Sequence, residues 1–142
     1  MILTTKGRYA IMAIVDMIEY GNNRPVCLSA ISERQNISLS YLEQIFAKLR
    51  RAGLVKAIKG PGGGYALVND SCKISAADII QATGETIKMT RCKINANQGC
   101  MGNNTKCKTH KLWYGLEQTI YSYFQSISIF DICSGKFQGG SK

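Results

Sequence analysis

The sequence predicts a mainly α-helical protein with one small β-hairpin, and three observations support this fold class. Apolar residues recur at spacings of three and four along residues 4–21 and 40–53, which is the period of an amphipathic helix. A glycine-rich run at residues 59–64 separates two short apolar stretches, as in a hairpin. A broad apolar side on residues 109–126 predicts a long C-terminal helix.

Two helices and a turn open the chain. The first helix begins at Thr4 or Thr5, either of which can cap it with its hydroxyl, and ends at Gly21. Residues 29–35 form a second helix, and residues 36–38 form a three-residue turn.

The third predicted helix follows this turn. We expect a capping box at residues 40–43, in which the Ser40 hydroxyl and the Glu43 carboxylate each bond to a backbone amide of the other residue. The helix ends at Gly53. Its apolar residues are spaced for burial on one side: Leu42, Ile45, Phe46 and Leu49.

A hairpin and further helices follow. Residues 54–58 and 65–68 form its two strands, and the glycines between them permit positive φ. Ser75 caps a fourth helix, and Ser128 with Asp131 marks one short terminal turn after the long helix.

This order of elements is typical of a winged helix-turn-helix, an arrangement that binds DNA. The long C-terminal helix would then lie outside the DNA-binding part. The domains that we expect are a winged helix-turn-helix domain (1–85), a cysteine-rich metal-binding loop (86–111), a dimerisation helix region (112–133) and a flexible tail (134–142).

The polar side of the third helix predicts contacts with double-stranded DNA. Hydroxyls, an amide and a carboxylate near its N-terminus can bond to base edges, and the bases further along can bind phosphates. The wing tip can enter the minor groove. The alternative for any one residue is a solvated helix face. The candidate DNA-binding residues are Ser38, Ser40, Tyr41, Glu43, Gln44, Lys48, Arg50, Arg51, Lys59 and Gly60.

The apolar stripe of the last helix exceeds what one winged helix needs for its core. We therefore expect part of it to form a homodimer interface, and a symmetric dimer would bind a palindromic operator. The expected interface residues are Leu112, Leu116, Ile120, Tyr123 and Phe124.

Composition limits the location and the partners. The formal net charge of +9 favours a polyanionic partner. The sequence shows neither a membrane-spanning apolar stretch nor a secretion signal, which predicts a cytoplasmic protein without membrane contact. The six cysteines should then stay reduced, as metal ligands or as thiols outside any disulfide.

Cys92, Cys100, Cys107 and His110 together predict a metal centre. His110 is the only histidine, and residues 88–111 carry six basic residues without one acidic residue. Three thiolates and an imidazole suit zinc or an iron–sulfur cluster equally well, and their spacing favours neither. Of the other cysteines, two are expected to be core thiols and one to be exposed: Cys27 and Cys133 in the core, and Cys72 at the surface.

Five stretches of the chain resemble regulators of the IscR type, within a wider family of small dimeric winged-helix repressors. The resemblance covers residues 1 to about 133. The matching stretches are residues 3–10, 31–44, 60–65, 90–92 and 107–110.

This resemblance implies a [2Fe–2S] cluster held by Cys92, Cys100, Cys107 and His110. It also implies a homodimer that represses the genes for cluster assembly when the cluster is loaded. A zinc-stabilised structural or nucleic-acid-binding module is the alternative. An enzyme with a small-molecule substrate is the weakest hypothesis, since His110 is already used as a ligand and the glycine run lacks a following Lys-Ser or Lys-Thr.

Overall fold

The computed structural model describes residues 4–90, 99, 101–103 and 105–135. This part of the chain is mainly helical and contains one two-stranded antiparallel sheet, which confirms the predicted fold class. The elements are α1 (Thr5–Gly21), α2 (Leu28–Gln35), α3 (Leu39–Arg51), β1 (Val55–Ile58), β2 (Gly64–Leu67), a 3₁₀ turn (Ser71–Lys73), α4 (Ala76–Ala82), α5 (His110–Gln125) and α6 (Ile129–Ser134).

Helix α1 contributes to the centre of the domain. Ala10, Ala13 and Ile14 are buried, and α1 packs against α2, α3, α4 and α6. The helix ends at Gly21, and Asn22 takes the left-handed conformation that closes a helix C-terminus. Both predicted ends of this helix are confirmed to within a residue.

The turn between α2 and α3 begins at Asn36, which has a φ of +53°. Ser38 is the residue that caps α3, because its hydroxyl accepts the Tyr41 N–H at 3.4 Å. The predicted capping box at Ser40 and Glu43 is therefore wrong. Helix α3 begins at Leu39, which places Ser40 inside the first turn, with its hydroxyl 2.9 Å from that of Ser38.

One continuous core joins the helices to the wing. The four apolar residues predicted to be buried on α3 are all buried, as is Val55 at the start of β1. Ile129 of α6 belongs to the same core. The central residues of this core are Ala10, Ile14, Ile31, Leu42, Ile45, Phe46, Leu49, Val55, Ile79 and Ile129.

The wing is fastened to the chain just before α2. Tyr65 of β2 exchanges two backbone hydrogen bonds with Val26, at 2.8 and 2.9 Å, and its ring lies 5.0 Å from the ring of Phe46. A side chain on Gly64 would meet the Val26 carbonyl oxygen at 2.4 Å, so this close approach requires glycine. This attachment holds β2 at its end nearest the hairpin connection, while residues 59–62 of the connection stay exposed.

Two short helices with the same type of cap join the C-terminal end of α5 to the domain. Ser75 caps α4 through Asp78, and Ser128 caps α6 through Asp131. The two serines face each other in an antiparallel bridge. The terminal turn that the sequence predicts is therefore a six-residue helix, and it packs on α1. In the part of the chain that the structure describes, none of the helices has the length and apolarity that a membrane crossing requires.

Candidate DNA-binding surface and metal centre

The exposed side of α3 carries most of the predicted DNA-binding residues. This exposed side lies opposite the buried side because exposed and buried residues alternate along α3 with the helical period. At the wing, Lys59 and Gly60 are exposed on the hairpin connection. The exposed candidates on and next to α3 are Ser38, Ser40, Glu43, Gln44, Arg50 and Arg51.

Two candidates on α3, Tyr41 and Lys48, are only half-exposed. The Tyr41 ring packs edge-on against Tyr9 of α1 at 5.8 Å, and burial together with the nearby Glu85 carboxylate raises the pKa of its hydroxyl. The Lys48 ammonium donates to the Thr83 carbonyl at 2.9 Å. Both side chains thus connect α3 to its own domain, Tyr41 to α1 and Lys48 to the end of α4.

An internal ion pair, which the sequence did not reveal, fixes α2 against α1. Asp16 is fully buried and accepts from Arg34 at 2.6 to 3.1 Å and from the Gln35 amide at 2.8 Å. The Arg34 guanidinium also lies 4.7 Å from the centre of the Tyr20 ring. The one available signal was the acidic residue among the apolar positions of the first helix.

Cys107 and His110 line the same cavity, which has a volume of about 570 Å³. His110 is the first residue of α5, and its N–H donates to the Cys107 carbonyl at 3.0 Å. The Cys107 thiol lies 3.4 Å from the Thr109 hydroxyl. Three lysines and a tyrosine complete the lining: Lys106, Lys108, Lys111 and Tyr114.

The donor set of this cavity fits a metal centre. A thiol and an imidazole at neighbouring positions are ligands for zinc and for iron–sulfur clusters, and the lysines offset the negative charge of bound thiolates. The other two predicted ligands, Cys92 and Cys100, lie outside the described residues. Within residues 4–90, 99, 101–103 and 105–135, no group of three metal-binding side chains converges.

The segment that leads into the cysteine-rich loop runs along α5. Glu117 of α5 is buried, and its carboxylate accepts the backbone N–H of Met89 at 2.5 Å. Residues 85–88 and Glu117 line a common cavity of about 220 Å³. The carboxylate oxygens of Glu85 are also buried, and they have no hydrogen-bond partner among the described residues.

The three remaining cysteines differ in exposure. The prediction that Cys27 is a core thiol is wrong: it precedes α2 at the surface, 3.3 Å from the Ser29 hydroxyl. Cys133 is half-buried, and Cys72 is exposed as predicted.

Much of α5 is exposed along its apolar side. Leu112 is 63 % exposed and Tyr123 is 48 % exposed, while Ile120 and Phe124 are half-buried. Three of the predicted interface residues line a cavity of about 690 Å³ between α5, the end of α4 and the start of α1: Ile120, Tyr123 and Phe124.

A winged helix-turn-helix with an exposed polar and basic α3 defines a class of protein, the DNA-binding transcriptional regulators. Residues 3–135 match the model of the Rrf2 family, which is described as an iron-dependent transcriptional regulator. The chain belongs to the Rrf2 family, whose members bind DNA, typically as dimers.

Individual relatives agree with this assignment. The transcriptional regulator IscR of Xenorhabdus nematophila is 47% identical over 130 residues, which cover 92% of this chain and 77% of that protein. IscR of Yersinia pestis is 44% identical over 134 residues, covering 94% of this chain and 80% of that protein. These relatives are regulators of transcription, in agreement with the expectation that the enzyme hypothesis is the weakest.

Solved structures show the same fold. IscR of T. potens has a TM-score of 0.76 at 29% identity and covers 100% of this chain and 93% of that chain. CymR, the global cysteine regulator of B. subtilis, has a TM-score of 0.77 at 28% identity, with coverages of 94% and 97%. The predicted likeness to IscR-type regulators is therefore confirmed in both sequence and structure.

Proposed function

We propose that this regulator senses iron–sulfur cluster status and represses the genes for cluster assembly when its own [2Fe–2S] cluster is loaded. Cys92, Cys100, Cys107 and His110 would hold the cluster. The observation that carries the proposal is the shared cavity of Cys107 and His110, at the start of the long helix and lined by lysines. The names of its relatives, which include IscR, support it.

The donor set suits a sensor. An oxidised [2Fe–2S] core has a formal charge of about +2, so three thiolates and a neutral imidazole leave about −1, which nearby lysines can offset. An imidazole ligand in place of a thiolate raises the reduction potential of such a cluster and makes ligation depend on pH. The occupancy of such a cluster would depend on the supply of iron and sulfide and on the presence of oxidants.

We propose the division of the chain that the sequence predicts. Residues 1–85 would contact a palindromic operator through α3 and the wing, and residues 86–111 would hold the cluster. Residues 112–133 would pair two copies along α5, and residues 134–142 would form a tail. A repressor of chromosomal genes would act in the cytoplasm, which is the location that we propose.

Purification without oxygen, followed by iron and sulfide analysis and a visible spectrum, tests the cofactor. We expect a coloured protein with about two irons and two sulfides per chain. A colourless protein with one zinc per chain would support the zinc-stabilised module instead.

Single substitutions test the ligands. Cys92→Ala, Cys100→Ala and Cys107→Ala should each abolish the visible absorbance, because each removes one protein ligand. Cys72→Ala and Cys133→Ala are matched controls and should keep it. A colourless control together with a coloured Cys107→Ala protein would show that the ligands are assigned wrongly.

A further inference from the structure

Glu117 is the one buried residue among the sixteen of α5, all of which the structure describes. Its side chain is 6 % exposed, and it binds a backbone amide, that of Met89. A methionine or leucine could fill the same space without the cost of removing a carboxylate from water. What the carboxylate adds is a directed, charge-assisted hydrogen bond to one point of the preceding segment.

The two ends of this hydrogen bond have a definite relation to the predicted metal ligands. Glu117 follows His110 by seven residues, so both lie on the same side of α5, two turns or about 10 Å apart. Met89 precedes Cys92 by three residues, and three residues of chain span at most about 11 Å. Fixing Met89 beside Glu117 therefore ties the chain to α5 three residues before the first predicted ligand.

The segment before Met89 follows the same helix. Glu85, Thr86, Ile87 and Lys88 line one cavity together with Glu117 and its neighbours on α5. The chain thus approaches α5 from the end of α4 and is joined to it at Met89, just before the first predicted ligand.

We propose that Glu117 is a positioning residue for the metal centre: it ties the start of the cysteine-rich loop, at Met89, to α5, the helix whose first residue is the predicted ligand His110. This inference rests on the proposed function. Glu117 does not touch the metal in this mechanism. It acts by shortening the search that Cys92 must make to reach the other ligands.

Two substitutions of similar volume test this role, Glu117→Met and Glu117→Gln. Methionine fills the space but offers no strong acceptor to the Met89 N–H, whereas the glutamine carbonyl can still accept it. Gln118→Ala is the matched control, because Gln118 is the exposed neighbour that lines the same cavity.

The first readout uses the metal-free protein and is hydrogen exchange at the Met89 amide. Glu117→Met should speed this exchange by about ten-fold or more relative to wild type, and Glu117→Gln and Gln118→Ala should change it less. The second readout is loss of visible absorbance on challenge with a chelator under anaerobic conditions. Glu117→Met should release the cluster about 10- to 100-fold faster, the usual effect of removing a residue that orients a metal ligand.

Wild-type exchange at Met89, or wild-type cluster release, in a folded Glu117→Met protein would overturn the proposal. Equal losses in Glu117→Met and Gln118→Ala would also overturn it, because they would indicate general damage to α5. If wild type itself takes up neither cluster nor zinc, the proposed function fails. The exchange experiment would still show whether the hydrogen bond exists.

Discussion

At the scale of single residues, the hydrogen bonds of the Asp16 carboxylate determine how α1 packs against α2. Asp16 is fully buried, and its partners on α2 include an arginine that binds it with two nitrogens. Removing one partner of such a pair leaves the other charge without compensation and is strongly destabilising.

We therefore expect Arg34→Ala, which leaves the buried Asp16 carboxylate without its cation, to lower the free energy of unfolding by about 3–5 kcal/mol. Urea denaturation followed by circular dichroism measures this loss. Glu33→Ala is the control, since Glu33 lies exposed beside Arg34 on the same helix and should change stability by less than about 0.5 kcal/mol. Equal effects of the two substitutions would contradict a stabilising role for the ion pair.

The cysteines outside the proposed metal centre should differ in reactivity. A hydrogen bond from the Ser29 hydroxyl lowers the pKa of the exposed Cys27 thiol, while burial raises the pKa of Cys133. The thiolate is the reacting form, so near neutral pH a larger fraction of Cys27 is ready to react.

Limited alkylation with iodoacetamide, followed by peptide mass spectrometry, checks this prediction. Cys27 should react roughly ten-fold faster than Cys133 near neutral pH. As pH rises, the Cys27 rate should level off first, because its thiol is fully ionised at a lower pH. The same reaction in urea should bring the two rates together. Equal rates in the folded protein would refute the assigned environments.

At the scale of single residues, the sequence predicted types of contact better than partners. Both Ser38 and Ser40 are suitable helix caps, and Ser38 is the one used because α3 begins at Leu39. The partners of Asp16 lie eighteen and nineteen residues away along the chain. No local pattern connects residues that far apart, so the ion pair could not be predicted.

Among the elements, α3 exposes two kinds of side chain that can contact DNA. Gln44 lies in the N-terminal half, where side chains reach base edges, and Arg50 lies near the C-terminus. An amide can distinguish adenine by two hydrogen bonds, whereas a guanidinium that binds phosphate attracts every duplex.

Gln44→Ala should weaken binding to the cognate operator by about 1–3 kcal/mol and leave binding to random DNA nearly unchanged. Arg50→Ala should weaken binding to both and reduce the salt dependence by about one counterion. Titrations at several salt concentrations, with cognate and random duplexes, measure both effects. If both variants lose the same affinity on both duplexes, the two residues do not have separate roles.

The helices with strong apolar periodicity were predicted accurately, and the shorter elements less so. The predicted last helix, residues 109–126, differs from α5 by one residue at each end. The predicted terminal turn is the helix α6 in the structure, because apolar residues around its Ser128–Asp131 cap pack into the core beside α1. This packing depends on α1, which is distant in the sequence, so local sequence patterns could not predict it.

At the scale of the whole molecule, the apolar side of α5 is the surface that we expect to contact a second copy of the chain. Leu112, Leu116 and Tyr123 remain exposed in the single chain. Members of this family typically bind DNA as dimers, and two copies paired along α5 would cover these side chains.

Leu116→Glu should therefore raise the dimer dissociation constant by at least about 30-fold, because it places a charge in the interface that we propose. Analytical ultracentrifugation measures the dimer, and operator binding should weaken with it. Gln118→Glu introduces the same charge on the opposite side of α5 and should leave the dimer intact. A dimeric Leu116→Glu protein would place the interface elsewhere.

The candidate metal centre was predictable as a set of residue types but not as a geometry. Four candidate ligands spread over residues 92–110 predict a metal site by their chemistry, and the structure brings two of them, Cys107 and His110, to one cavity. The burial of Glu117 and its hydrogen bond to Met89 could not be predicted, since a glutamate on an amphipathic helix is usually solvated.

The position of α6 has a consequence for how the protein is made. Ile129 is fully buried in the same core as Ile14 of α1 and Phe46 of α3, so the last helix completes the domain that the first helix begins. A ribosome synthesises a chain from the N-terminus onwards, at about 5–20 residues per second. The core around α1 and α3 therefore stays incomplete until α6 has emerged, and a product that stops after the cysteine-rich loop lacks both a closed core and the dimer surface that we propose on α5.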